Sequence, residues 1–417
     1  MSMESIKELC RKGAEAKFSI QGLSADAKNE ALLRAADALL RDSDIILRAN
    51  AIDCEKAEKA GMSAGLLDRL RLTEARIRQI AEGVKEVSLL PDPVGELLEE
   101  FDRPSGIHIR KVRVPLGCIG IIYESRPNVT ADAFALCFKS GNSCILKGGS
   151  DCLHSNIAIA ASLKSALKDC GITEDAVGLI ESADRADTNF FMQQREYIDV
   201  LIPRGSAGLI RAVVEGSRIP VIETGSGNCH IYIDRDADLE KAMPIIINAK
   251  TQRTGVCNAA ESLVVHKDIA EKFLPMLRSA MERCGVSLFA DSLSIPYLPL
   301  AGEATEEDFA AEYLDLKLSV KTVSSVREAI DHINRYHTKH SDCIITENPK
   351  TAEQFLKEVD SACVYVNAST RFTDGFEFGF GAEIGISTQM LHARGPMGLR
   401  ELTSYKYLVT GTGQIRK

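Results

Sequence analysis

No apolar run in this chain approaches the roughly 20 residues of a membrane-spanning helix, which argues against a helical membrane protein. Residues 1–12 lack the apolar core of a secretory signal, so a cytoplasmic protein with reduced thiols is expected. Positive charge is in deficit: 50 Lys and Arg stand against 59 Asp and Glu, a formal net charge of -9, so the chain as a whole carries no nucleic-acid footprint. The 12 cysteines include no Cys-x-x-Cys, and His230, His266 and His392 are isolated. Zinc and thioredoxin-type readings therefore have no support, no metal is expected, and most of the thiols read as small buried hydrophobes. The Gly-x-Gly-x-x-Gly fingerprint and the phosphate loop of nucleotide triphosphatases are both missing, so a nucleotide site has to be argued from other features. There is no internal repeat and no low-complexity segment.

A chain of 417 residues is too long for one typical core, and two large domains are expected. Hydrophobic content of 45% and charged content of 26% fit a soluble globular protein. Residues 1 to about 90 read as helical. Ser24 or Asp26 caps a helix through Ala31, Leu32, Ala35, Leu39 and Leu40; a second covers 51–59; a third is opened by Thr73 and ended by Pro91 and Pro93. Residues 107–114 alternate as a half-exposed hairpin arm does, and 117–123 is a continuous apolar run suited to a strand buried on both faces. Strands then alternate with helices: strands at 143–147, 176–181, 198–203 and 219–223, with helices at 156–168 and 206–215. After residue 257 the alternation restarts, with strands at 262–266, 316–323, 342–346 and 363–367, a helix at 269–284 and a capping box at 325–328. Residues 374–385 read as a loop. The tail, 405–410, is a strand that pairs with the 107–114 arm or with another subunit. Repeated strand–helix units point to a parallel, doubly wound α/β fold, which binds nucleotides at the carboxyl ends of its strands.

The densest chemistry lies between Glu223 and Cys257. A carboxylate and a thiol flank a Gly-rich turn, Thr224-Gly225-Ser226-Gly227, then a short apolar strand and an Ala/Ile-rich helix opened by Asp236-Ala237-Asp238. Such a layout can fold back to set an acid or base beside a nucleophilic thiol. Lys147-Gly148-Gly149-Ser150 follows a strand and precedes a helix, where a lysine and the N–H groups of a Gly-rich turn suit a phosphate; an ordinary turn would read the same way. Gly205-Ser206-Ala207-Gly208 sits in the same context.

Together these segments resemble the aldehyde dehydrogenase superfamily, where a Gly-rich turn carries a carboxylate, a helix follows, and a Gly-x-x-Cys segment brings the catalytic thiol. Here the counterparts are Glu223-Thr224-Gly225-Ser226, residues 236–242, and Gly255-Val256-Cys257, one residue tighter; the separation of 34 residues from 223 to 257 matches the family. Five motifs are similar to its gamma-glutamyl phosphate reductase branch, the glutamate-5-semialdehyde dehydrogenases: 123–130, 146–149, 252–258, 312–317 and 391–399.

The resemblance implies an aldehyde dehydrogenase-like α/β fold. Residues 1–104 and 122–224 would form a Rossmann-type cofactor domain, 225–390 a second α/β catalytic domain with the nucleophilic cysteine, and 105–121 with 391–417 a small β oligomerisation arm and tail. It implies NADPH-dependent reduction of L-glutamyl 5-phosphate to L-glutamate 5-semialdehyde and phosphate through a Cys257 thioester, the second step of L-proline biosynthesis. Cys257 would be the nucleophile, Glu223 a supporting acid or base, and Asn128 or Ser125 an oxyanion donor. Lys147, Gly148, Gly149, Ser150, Gly205, Ser206, Gly225 and Glu312 would hold the cofactor. Arg126, Arg253, Glu383 and Arg394 are candidates for the substrate. NAD-preferring members carry a glutamate where Ser150 stands, so its absence favours NADP(H). Leu314 replaces a family aromatic. A homodimer or higher homo-oligomer is expected, with glutamate 5-kinase as a candidate partner. A hydrolytic aldehyde dehydrogenase, a coenzyme A-acylating reductase and a non-catalytic binding protein are the competing readings.

Overall fold

The structure, a computed structural model, describes residues 1–416. It divides into two compact units. The first comprises Met1–Glu223, Gly379–Gly385 and the tail from Met397; the second comprises Thr224–Phe378 and Ile386–Pro396.

The first unit opens with five helices, Met3–Gln21, Ala25–Arg41, Ser43–Lys59, Ala64–Leu70 and Glu74–Leu89. Of the two capping candidates, Ser24 is the one used: its hydroxyl accepts from the Ala27 N–H at 3.2 Å. Thr73 caps the last of the five through the Arg76 N–H, as expected. Four parallel strands follow, in the order Val177–Leu179, Ser143–Lys147, Cys118–Tyr123, Val200–Arg204. The two central strands are buried at every position, which is why Cys118–Tyr123 reads as an unbroken apolar run. The chain walks outward from Cys118–Tyr123 in one direction and then returns on its other side with Val200–Arg204. That reversal makes a topological switch point between the carboxyl ends of these two strands.

One local expectation needs correction, and two elements were not anticipated. The strand anticipated at 219–223 is reduced to a single parallel bridge between Leu201 and Val221, because Pro220 on one strand and Pro203 on the other have no N–H to extend the ladder in either direction. Helix Asn128–Lys139 was not legible, since the run from Val129 to Lys139 is buried almost all round and shows no helical period. Strand Leu97–Asp102 was also missed; it is mostly exposed and lacks the alternation that marks a strand. It forms a hairpin with His108–Pro115, and the tail strand Thr403–Thr410 pairs antiparallel with the other side of that arm, Tyr405 opposite Arg113. The tail thus takes the intrachain partner of the two considered. Tyr405, Tyr407 and Val409 remain more than half exposed along it.

The second unit is built on seven strands in the order Gly302–Glu303, Ser287–Ala290, Lys317–Val323, Ala260–His266, Cys229–Ile233, Ser341–Ile345, Cys363–Val366, and every pairing is parallel. Side chains alternate across this sheet with period two. Ile231, Leu263 and Val320 face one core with Ile246, Phe273 and Leu277, while Tyr232, Val264 and Ile344 face another with Ile330, Ile333 and Phe355. Ser325 caps helix Val326–Tyr336 by accepting from the Glu328 N–H at 3.2 Å. The return half of the expected box moves one residue back, to the N–H and hydroxyl of Ser324, both 2.7 Å from Glu328 Oε2. Among the described residues no helix is long and apolar enough to cross a membrane.

Candidate active site

Exposure separates the cysteines. Nine of the twelve are buried, and Cys170, Cys257 and Cys284 are partly exposed. Burial pushes the Cys10, Cys118, Cys152 and Cys343 thiols up to about 12, which disqualifies them as nucleophiles near neutral pH. Cys170 and Cys284 sit at the C-caps of helices. Cys257 sits in the turn between helix Leu239–Thr251 and strand Ala260–His266, at the amino edge of the second unit's sheet.

That turn is tied down on several sides. The Asn258 amide donates to Thr373 O at 2.8 Å and Arg371 O at 3.3 Å, and the Thr370 hydroxyl donates to Asn258 O at 2.8 Å. The Cys229 thiol, buried, donates to Cys257 O at 3.2 Å. A Cβ on Gly227 would lie 1.4 Å from that same carbonyl oxygen, so only glycine allows the two segments to meet. The Gly227 N–H in turn donates to Glu312 Oε1 at 2.6 Å, and burial raises the Glu312 carboxyl above its ordinary value. Cys257, Gly227 and Glu312 are therefore contiguous.

Behind them lies a fully buried ion pair, Lys250 Nζ to Glu261 Oε2 at 2.5 Å. Burial lowers the lysine and raises the Glu261 carboxyl to about 7. The other Glu261 oxygen accepts from the Leu314 N–H at 3.2 Å, where Leu314 takes a left-handed φ of 52°. The pair thus joins the strand that follows the thiol to the loop that carries Glu312.

In the first unit, the other candidates gather at the switch point. Glu124 leaves the end of strand Cys118–Tyr123, and its Oε2 accepts from the Ser206 N–H at 2.7 Å. Ser206 caps helix Ala207–Gly216, and a Cβ on Gly205 would meet that carboxylate at 2.4 Å. The buried Lys147 ends strand Ser143–Lys147, donates to Gly148 O at 3.0 Å, and is lowered by burial. Gly149 leads into the short turn Ser150–Cys152, with Ser150 exposed; Asp151 in that turn accepts from the Ser125 hydroxyl.

A model of the aldehyde dehydrogenase family matches residues 1–292. The chain belongs to the aldehyde dehydrogenase family. It is 56% identical over 407 residues to a gamma-glutamyl phosphate reductase of Caldanaerobacter subterraneus subsp. tengcongensis, covering 98% of both chains. It is 54% identical to one of Moorella thermoacetica, covering 98% of this chain and 97% of that one. A crystal structure of gamma-glutamyl phosphate reductase from Thermotoga maritima superposes with a TM-score of 0.97 at 48% identity, covering 100% of each chain. The fold is accordingly that of an aldehyde dehydrogenase family enzyme, an α/β protein with parallel sheets, and the family works with nicotinamide cofactors.

Within this aldehyde dehydrogenase, Arg253 shares the thiol's turn and Glu312 reaches it through Gly227. Gly225 lies in the same unit, its N–H on Ile386 O at 2.9 Å. Asn128 opens helix Asn128–Lys139 and donates to Asp132 at 2.8 Å, whose carboxyl burial raises to about 6. Arg126 is half-buried in the 124–127 loop; Glu223 and Glu383 are half-buried in the first unit. Arg394 is drawn elsewhere: it pairs with Asp360 at 2.6 Å, which Lys339 also holds at 2.9 Å. Sequence reading missed Lys250, Glu261 and Arg371. For the first two a signal existed, because single charges in the apolar runs 242–250 and 259–265 must find partners when buried.

Proposed function

We propose that this enzyme reduces L-glutamyl 5-phosphate to L-glutamate 5-semialdehyde with NADPH and releases phosphate, the second step in making proline from glutamate. The observation that carries this reading is the near-full-length identity to gamma-glutamyl phosphate reductases. The Cys257 thiolate attacks the acyl carbon, the bond to phosphate breaks, and a thioester remains. The cofactor, when bound, supplies the hydride that reduces it. Collapse of the thiohemiacetal frees the aldehyde and restores the thiol. Negative charge develops on the carbonyl oxygen in both halves, and the Cys257 N–H with Ser125 or Asn128 are the donors proposed for it.

The residues of the first unit fit a nicotinamide nucleotide. At the switch point the N–H and hydroxyl of Ser206 already receive an anion, the Glu124 carboxylate, as they would receive a phosphate. Lys147, Gly148, Gly149, Ser150, Gly205 and Ser206 would hold it there, with Gly225 and Glu312 toward the nicotinamide ribose. The test is oxidation of the semialdehyde assayed with NADP and with NAD, each with and without phosphate. NADP oxidation that requires phosphate supports the reading; acid formation with NAD and no phosphate refutes it.

Glu223 has a supporting role here, because hydride transfer and phosphate attack need no activated water. General-base help is worth about 10²–10⁴-fold where a mechanism requires it, so Glu223→Gln should slow turnover by less than about 100-fold. Burst release of one phosphate per chain followed by arrest, with NADPH present, would instead make Glu223 an essential base.

We also assign the exposed edge of strand Thr403–Thr410 to a second copy of the chain, since its outer edge has no strand neighbour among the described residues and carries exposed tyrosine and valine, which invites pairing. Light scattering at micromolar concentration should give a dimer or a multiple of it; a monomer contradicts this.

A further inference from the structure

Arg371 belongs to the short turn Thr370–Phe372, which follows strand Cys363–Val366 at the edge of the second unit's sheet. Two sets of contacts place it across the thiol's turn. Its carbonyl accepts from the Asn258 amide at 3.3 Å, one residue after Cys257. Its side-chain Nε donates to Gln252 Oε1 at 3.0 Å, five residues before Cys257. The residue thus spans the two ends of the segment whose thiol does the chemistry, and Arg253 lies next to Gln252 in that segment.

The guanidinium is half-buried, yet among the described residues neither Arg371 nor Arg253 makes an ion pair. Asp374, three residues on, turns its carboxylate to its own loop, accepting from the Phe376 N–H at 2.9 Å and the Glu377 N–H at 3.4 Å. Burial and the neighbouring Arg253 hold Arg371 below the ordinary arginine value, while the charges of the Asp374 carboxylate and of a Cys257 thiolate act in the opposite direction. Arg371 and Arg253 therefore lie beside each other and near the reactive sulfur, and the carboxylate closest to them in the second unit, Asp374, is held by its own loop and forms an ion pair with neither. With the Nε–H committed to Gln252, the Nη donors of Arg371, which make no hydrogen bond among the described residues, suit a planar, bidentate contact, the geometry that fits phosphate oxygens.

We propose that Arg371, with Arg253 beside it, binds the phosphoryl group beside Cys257: the acyl phosphate's in the forward direction and inorganic phosphate in reverse. This rests on the acyl-phosphate reading above and commits these two arginines to the phosphate rather than to the substrate's amino acid head group. In the forward step the sulfur–carbon bond forms as the carbon–oxygen bond to phosphate breaks. The electron pair of that bond leaves on the phosphate, which takes up the thiol's proton, and nothing is oxidised or reduced until the hydride is delivered. The cations stabilise the charge that accumulates on the departing oxygen.

Reverse-reaction kinetics with Arg371→Lys and Arg371→Ala test the assignment. The KM for inorganic phosphate should rise by roughly 10- to 100-fold, the size of a lost charge-assisted contact, with the KM values for the aldehyde and for NADP changed by less than about 3-fold. Arg371→Lys keeps a charge in place and should recover part of the loss; it is also the variant to rely on if Arg371→Ala fails to fold by circular dichroism. A second readout needs no turnover: inorganic phosphate should slow alkylation of Cys257 by iodoacetamide in the unmodified protein and not in Arg371→Ala. An unchanged phosphate KM with a raised aldehyde KM would hand Arg371 to the head group and overturn the proposal. Absence of phosphate protection in the unmodified protein overturns it as well. If oxidation by the unmodified enzyme proves independent of phosphate while phosphate still protects the thiol, the acyl-phosphate reading fails and the anion site stands.

Discussion

Cys257→Ser should abolish reduction of the acyl phosphate, by at least about 10⁴-fold, the order expected when a nucleophile is removed from a unit that works only as a whole. A serine hydroxyl fits the same space but has no accessible anion near neutral pH, whereas a thiol titrates within reach of it. The surrounding structure should tolerate the change, because the contacts that fix the turn run through backbone and neighbours: Asn258 to Thr373 and Arg371, Thr370 to Asn258, and Cys229 to the Cys257 carbonyl. NADPH binding, followed by fluorescence titration, should therefore be unchanged, since the residues proposed to hold the cofactor include no side-chain atom of Cys257. Single-turnover phosphate release gives the cleaner measure of acylation. Substantial release by the serine variant would shift the nucleophile to Cys170 or Cys284, the two other partly exposed thiols.

The largest effect on stability should come from Lys250→Met. Lys250 and Glu261 are both fully buried, and removing one partner of such a pair typically costs about 3–5 kcal/mol because the other charge is left without compensation. The cost should depend on pH. In the unmodified protein burial already raises the Glu261 carboxyl from 4.5 to about 7 even with the lysine in place. Without the lysine it rises further. A carboxyl whose folded value exceeds its unfolded value is favoured by the folded state while protonated, so its contribution is intact below about 4.5 and is lost as the pH climbs to the folded value. The variant should therefore approach the unmodified protein near pH 5 and fall progressively behind it through pH 7 and above. Removing both charges in Lys250→Met with Glu261→Leu should restore much of the loss. Thermal midpoints across pH 5–8 measure all three variants, and a single variant within 1 kcal/mol of the unmodified protein at pH 8 contradicts the account. A side effect on Glu312 is expected as well, because Glu261 also receives the Leu314 N–H that shapes the loop after it.

What was legible in the sequence was local or periodic. Helix caps at Ser24 and Thr73, the arm at 107–114, the doubly buried strands and the restart of alternation after residue 257 all follow from the spacing of apolar residues and from turn chemistry within a few positions. The segment Asn128–Lys139 failed for the same reason the others succeeded: buried nearly all round, it carries no period to read. The motif spacing from Glu223 to Cys257 pointed to the aldehyde dehydrogenase family without any coordinates.

Tertiary structure decided which charges meet. Arg394 lies in a motif segment and is a candidate for the substrate, and the packing sets one nitrogen of its guanidinium on Asp360. Arg371 lies 114 residues beyond Cys257 and carries no pattern of its own, yet the strand order of the seven-stranded sheet and the turn after Cys363–Val366 deliver it across the thiol's segment. Glu124 and Ser206, 82 residues apart, meet only because the first unit's sheet reverses direction between their strands. The physical reason is common to all three. Apolar periodicity states which face of an element is buried, and that is a property of neighbouring residues. Which polar groups then face each other depends on strand order and register, which are settled by the packing of the whole unit and leave no trace in the spacing of any one segment.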